Sequence, residues 1–189
     1  MVYKKKLFDF IAFVLLNVFL SRLYTQNIDI IPRPNKVSYG VDEYKLKTDL
    51  KINFVKQSQK SAEYLKNYLS NEIKLGNIEM STDIGAKSDI LFKLKGAISK
   101  EAYLLEVNKD YILILASDNT GWFYGAQSLI QLIEANNTNL GNSESITIQE
   151  VLVEDAPRFK WRAFMLDEAR HFKGKDQVKL LLDEMALLK

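Results

Sequence analysis

The sequence contains no cysteine and a single histidine, His171. A disulfide framework and a Cys/His zinc site are both excluded, and thiols carry no information about redox compartment. No sign of charge is in excess. The 26 Lys and Arg side chains against 24 Asp and Glu leave a formal net charge of +2, too small for a surface that tracks phosphates, and no dense basic cluster is interleaved with aromatics. Nucleic acid is therefore not expected as a partner. Internal repeats and low-complexity tracts are missing, as are His-Glu-x-x-His and Gly-x-Ser-x-Gly, which argues against a secreted peptidase. Neither a metal nor a cofactor is implied.

What is there is an ordinary globular composition, 47% hydrophobic and 26% charged, enough for one domain or one domain plus a piece of another. Lys4, Lys5 and Lys6 precede an apolar run from Leu7 to Leu20 that only Asp9 and Asn17 interrupt. This is a secretory pattern, and the run is shorter than the roughly 20 residues that span a bilayer. Residues 1–26 are read as a signal peptide or, with "FIAFVLLNVFLS" retained, as a membrane anchor. In both cases export is expected, to a periplasm, the cell exterior or a lysosome-like compartment.

Beyond it, "NIDIIPRPNKVSYG" reads as an extended lead-in whose Pro32 and Pro34 belong at a sheet edge. "KINFV" predicts a short strand. Ala62, Leu65, Leu69 and Ile73 share one helical face over 58–73, ended by Gly76 and Asn77. "DILFKLKG" alternates with period two, and "AYLLEV" and "YILILAS" flank Asn108-Lys109-Asp110 as a hairpin. "NTGWFYGAQSLIQLIEANN" returns to helical period, with Trp122, Ala126, Leu129, Ile130 and Ile133 on one stripe. A polar loop follows, in which Asn136-Asn137-Thr138 is a formal sequon. "ITIQEVLVEDAPRF" alternates again into a turn at Asp155-Ala156-Pro157, the candidate boundary. These elements predict an α+β layer, a sheet with helices on one face.

From Trp161 the chain predicts a strand ("WRAFML"), a charged loop ("DEARHFKGKDQ") and a helix whose Val178, Leu181, Leu182, Met185 and Leu188 form one apolar stripe. Such a β/α unit cannot bury its stripe alone, so it is expected to open a parallel α/β structure.

Three segments, "IIPRPNKVSYG", "GWFYGAQSLIQLI" and "DAPRFKWRAFMLDEARHF", resemble in this order the family 20 glycoside hydrolases, the β-N-acetylhexosaminidases. The Asp-x-Pro-Arg-Phe…Arg…Leu-Asp…Arg-His-Phe string is the most specific of them. The resemblance implies an accessory α+β domain over 27–152, followed over 153–189 by the first β/α unit of a (β/α)8 TIM barrel, truncated at Lys189. It implies hydrolysis of terminal GlcNAc or GalNAc from glycans or chitin-derived oligosaccharides. The substrate's own acetamido oxygen would attack the anomeric carbon while an Asp orients it and an adjacent Glu acts as general acid. That pair is expected beyond Lys189, leaving the 189 residues without a catalytic residue and inactive alone.

The family's substrate-binding arginine falls on Arg170, whose planar fork of donors suits two sugar hydroxyls. Read from the residues alone, Arg170 instead pairs with Asp167 or Glu168 to order the loop. Arg158 and Arg162 are expected to make structural contacts between accessory domain and barrel, and His171 is taken as a structural loop residue. The chain departs from the family pattern at Ala163, where glycine is common, and at Glu168, where a small or apolar residue is usual. Asp167-Glu168 sits on the wrong strand for the catalytic pair, and Asp183-Glu184 points outward from a helix whose neighbours diverge by about 100°. A second reading, from a different class, is a stand-alone carbohydrate- or protein-binding module. The uncovered Leu/Met stripe of the last helix argues against it.

Overall fold

The computed structural model describes residues 29–137, 146–167, 169 and 171–189. The proposed signal or anchor over 1–26 lies outside them, as does Thr138 of the sequon. Seven strands are present among the described residues: β1 (Lys36–Lys45), β2 (Leu50–Phe54), β3 (Ile78–Ser81), β4 (Ile90–Leu94), β5 (Tyr103–Val107), β6 (Ile112–Ala116) and β7 (Thr147–Asp155). They form one sheet in the order β1-β7-β5-β6-β4-β2-β3. Helix α1 (Gln59–Asn71) connects β2 to β3, α2 (Asn119–Asn136) follows β6, and α3 (Lys175–Leu187) follows an irregular stretch.

The sheet is mixed. β2, β3, β4 and β6 pair in parallel, whereas β6, β5, β7 and β1 pair antiparallel. Within the antiparallel half only the β5–β6 pair is local in origin. β5 and β6 are joined by a tight polar turn in which Asn108 Oδ1 accepts from the amides of Asp110 at 2.9 Å and Tyr111 at 3.0 Å. β1 takes the edge beside the prolines, as expected. β3 was not expected: its four residues, Ile-Glu-Met-Ser, carry too few apolar positions to show a period, and only the crossover through α1 seats them on β2.

Alternation divides the two faces. Ile90, Phe92, Tyr103, Leu105, Ile112, Ile114, Val151 and Val153 are buried beneath α1 and α2, which lie side by side with the Tyr64 and Phe123 rings 5.2 Å apart. The helix "GWFYG" start explains this seating. Trp122 is fully buried and its indole Nε1 donates to the Lys93 carbonyl at 3.0 Å. A β-carbon on Gly121 would lie 2.4 Å from the Ala102 carbonyl oxygen, and one on Gly125 would lie 2.6 Å from Ile114 Cγ2.

The expected strand over 161–166 is corrected by the structure. Residues 161–167 have no regular secondary structure and are exposed. A strand needs a neighbour for its backbone donors and acceptors, and no described strand runs beside this segment. The following helix forms as expected, yet none of its residues is fully buried.

Gly121→Ala should destabilise the fold by about 1–3 kcal/mol through overpacking against backbone. Gly96→Ala, at a position with open space around it, should stay within about 0.5 kcal/mol. Urea unfolding of both variants checks this, and equal midpoints would show that α2 shifts freely.

Candidate functional site

The segment 159–189 returns to the outer side of α1 and α2, and a small set of polar side chains holds it there. Asp118 prepares the contact. One of its carboxylate oxygens caps α2 by accepting from the Gly121 amide at 2.9 Å, and the other accepts from the Glu101 amide at 2.8 Å. Glu101 thereby keeps a left-handed backbone, φ 62°, a conformation that costs a residue with a side chain and persists where surroundings over-determine it. Its carboxylate meets the guanidinium of Arg162 at 2.7 Å.

Arg162 is the hub of the seam. Nη2 also donates to Tyr124 OH at 2.8 Å, Nε donates to the Lys189 carbonyl at 3.2 Å, and Nη1 donates to the Phe159 carbonyl. The guanidinium stands 5.8 Å from the Tyr124 ring centroid, within cation–π range. Its hydrogen bond to the Glu101 carboxylate raises its pKa further above the usual arginine value, against a smaller opposing effect of burial.

A second tie lies deeper. Lys189 Nζ donates to Tyr103 OH at 3.1 Å and stands 3.6 Å from Asp155 Oδ2. Tyr103 OH in turn reaches Asp155 Oδ2 at 3.2 Å and Ser128 Oγ at 2.5 Å. Burial lowers the Lys189 pKa and Asp155 partly restores it; burial and then Asp155 push the Tyr103 phenol well above its ordinary range. Gln131 adds a third tie, donating to the carbonyls of Leu187 at 3.0 Å and Ile31 at 2.9 Å.

Two clefts flank these contacts. One, of about 870 Å³, is bounded by Tyr64, Phe123, Tyr124, Phe164, Met185 and Leu188. The other, of about 260 Å³, has Arg33, Tyr103, Asp155, Arg158 and Lys189 in its wall. Neither sets two carboxyl groups across an enclosed space, the arrangement of glycosidases that use two enzyme carboxylates. Above them, Trp161, Met165, Phe159 and Phe172 are largely exposed.

The family model for glycosyl hydrolase family 20, domain 2, matches residues 27–156, and that for the family 20 catalytic domain matches residues 159–189. The chain belongs to glycoside hydrolase family 20. It is 30% identical to a beta-hexosaminidase of Vibrio furnissii over 159 residues, covering 84% of this chain and 24% of that protein. Against a beta-hexosaminidase of Porphyromonas gingivalis it is 30% identical over 178 residues, covering 88% of this chain and 22% of that one. A solved structure of a mutant Streptomyces plicatus beta-hexosaminidase, in complex with the product GlcNAc, superposes with a TM-score of 0.75 at 27% identity, over 85% of this chain and 32% of that one. The chain thus spans about a quarter of the length of the curated relatives it matches.

Within this family 20 chain, the seam lies where the two family matches meet. Arg162 makes the expected contact with the accessory region. Arg158 does so too, at the lead-in of β1, donating to the Arg33 carbonyl at 3.3 Å and Asn35 Oδ1 at 3.4 Å. Arg170 and Glu168 lie outside the described residues. Asp167, Ala169 and His171 are exposed, and Asp167 Oδ1 accepts from the Ala169 amide at 3.0 Å. Asp183 and Glu184 are exposed on α3. Sequence reasoning missed Glu101, Tyr103 and Lys189. Glu101 follows a polar "SK" turn like any solvated residue, and nothing local signals its left-handed backbone.

A double-mutant cycle on Glu101→Gln and Arg162→Ala should give a coupling of about 0.2–1 kcal/mol, modest because the two side chains are 39% and 30% exposed. Urea unfolding of the four proteins measures it, and zero coupling would assign the hold to Lys189 and Gln131. Tyr44, Tyr68 and Tyr103 all have phenol pKa values raised above 10.0, first by burial. The folded state therefore keeps protons that the unfolded state releases. This stabilisation is fully present below pH 10 and is lost as pH rises above it. The unfolding midpoint should fall between pH 9.5 and about 11.5, and Tyr103→Phe should flatten that slope.

Proposed function

We propose that this chain is the N-terminal portion of an exported β-N-acetylhexosaminidase that hydrolyses terminal non-reducing N-acetylhexosamine residues by substrate-assisted retaining catalysis. The observation that carries it is the order of the two family matches: domain 2 over 27–156, then the start of the catalytic domain over 159–189. In this reading 159–189 opens a (β/α)8 barrel, and its exposed aromatic and aliphatic side chains await the strands and helices that follow. The orienting Asp and the acid Glu belong to a later barrel strand, so the 189 residues alone are inactive. Arg170, in the loop after the segment that leads into the barrel, holds hydroxyls of the terminal sugar through charge-assisted bonds worth roughly 1.5–3 kcal/mol each. The substrates are glycans or chitin-derived oligosaccharides ending in GlcNAc or GalNAc. Support for this class comes from the names of the relatives and from the GlcNAc in the Streptomyces complex. Export rests on the lysines and apolar run before residue 26.

The test is to capture the natural secreted product with an antibody raised against the accessory region, determine its intact mass, and assay it on a chromogenic N-acetyl-β-glucosaminide. The expected product is several times heavier than 21.8 kDa and active, and Arg170→Ala in it raises KM and lowers kcat with the fold intact. A product with the mass of residues 27–189, or a longer one with no glycosidase activity, would overturn the proposal.

A further inference from the structure

The face of the sheet turned away from α1 and α2 does not have the composition of a solvated face. Outward positions on an antiparallel sheet with one wet side are normally polar. Here Leu91 of β4, Leu113 and Leu115 of β6, Leu104 of β5 and Leu152 of β7 occupy alternating positions between buried neighbours, and all five remain partly exposed. Register makes them contiguous. Leu91 is opposite Leu113 and Leu104 is opposite Leu115, while Leu152 is opposite Glu106 and diagonal to Leu104. The patch is bounded on the β2 side by the loop after β3, where the Asp83 and Ala86 carbonyls accept from Asn53 Nδ2 at 2.7 and 3.1 Å. On the β1 side it is bounded by the Lys36–Glu154 pair at 2.8 Å.

We infer that this leucine face is the interface of a homodimer whose two-fold axis runs along the strands between β5 and β6. Charge and register select that arrangement. One row across the sheet reads Lys93, Leu115, Leu104, Glu154, and the next reads Leu91, Leu113, Glu106, Leu152. Rotation about such an axis lays β4 over the partner's β7 and β6 over the partner's β5. Lys93 of each copy then faces Glu154 of the other, Leu115 faces Leu104, and Leu91 faces Leu152. Glu106, which falls opposite Leu113, has its carboxylate drawn toward the strand end by Asn108 Nδ2 at 3.2 Å and Tyr111 OH at 3.3 Å. An axis across the strands would instead set Lys93 against Leu91 and Glu154 against Leu152, leaving charges buried against leucine. Sheets packed in the first way interdigitate their side chains at about 10 Å with strands nearly aligned. The seam with 159–189 lies on the opposite, helical side and stays free.

Sedimentation velocity of the 189-residue chain tests this directly. The expected result is a dimer at micromolar concentration. Lys93→Glu, which opposes like charges across the axis, weakens it by about tenfold or more, and adding Glu154→Lys restores it. Leu113→Lys abolishes the dimer while circular dichroism reports an unchanged fold, which keeps the test decisive where Glu154→Lys disturbs its pairing with Lys36. A monomer throughout the micromolar range overturns the proposal. So does association that survives both Lys93→Glu and Leu113→Lys, because it then runs through another surface of the chain.

Discussion

A β-carbon at Gly121 would lie 2.4 Å from the Ala102 carbonyl oxygen, so the approach of α2 to the sheet is set by a missing side chain. At that separation the Trp122 indole passes between helix and sheet to reach the Lys93 carbonyl, and Gly125 clears Ile114 one turn later. A larger residue at either place would lift the helix and open the space that Leu129, Ile130 and Ile133 fill. The cap at Asp118 works on the same geometry. Its second oxygen can hold the Glu101 amide only because the helix start is pressed against the loop between β4 and β5.

From this seating the seam follows. With Trp122 directed inward, Phe123 and Tyr124 must point away from the sheet, since helical neighbours diverge by about 100°. Tyr124 and Glu101 then frame the place that Arg162 occupies. One short motif therefore serves two interfaces, packing α2 on the sheet and presenting a docking edge to the segment matched by the catalytic domain. The polar ties at that edge are charge-assisted and partly screened, and they give direction and register. Burial of apolar surface is left to the side chains of 159–189 that stand exposed.

Much of this was legible from periodicity. The strands at β4, β5, β6 and β7 alternate with period two, and α1 and α2 carry stripes at helical spacing, so each was expected near its observed bounds. β3 was missed because four residues with two apolar side chains carry no periodic signal. The strand expected at 161–166 failed for the complementary reason: "WRAFML" has strand-forming side chains, but without a pairing neighbour its backbone stays irregular. At the seam, the role of Arg162 was legible from its place between two segments, whereas its partner Glu101 was not.

The sequence by itself determined the local elements, the family and the residue types at the seam, because those depend on side-chain order along a few turns or strand pairs. Tertiary structure alone decided the strand order β1-β7-β5-β6-β4-β2-β3, the left-handed Glu101, and the meeting of Lys189 with Tyr103 and Asp155. Each of these joins groups far apart in the chain, and a contact across 86 residues exists only once the intervening helices and strands have packed. The leucines of the open face show the same division. Their alternation is written in the sequence, but their union into one patch is made by the order in which β7, β5, β6 and β4 pair.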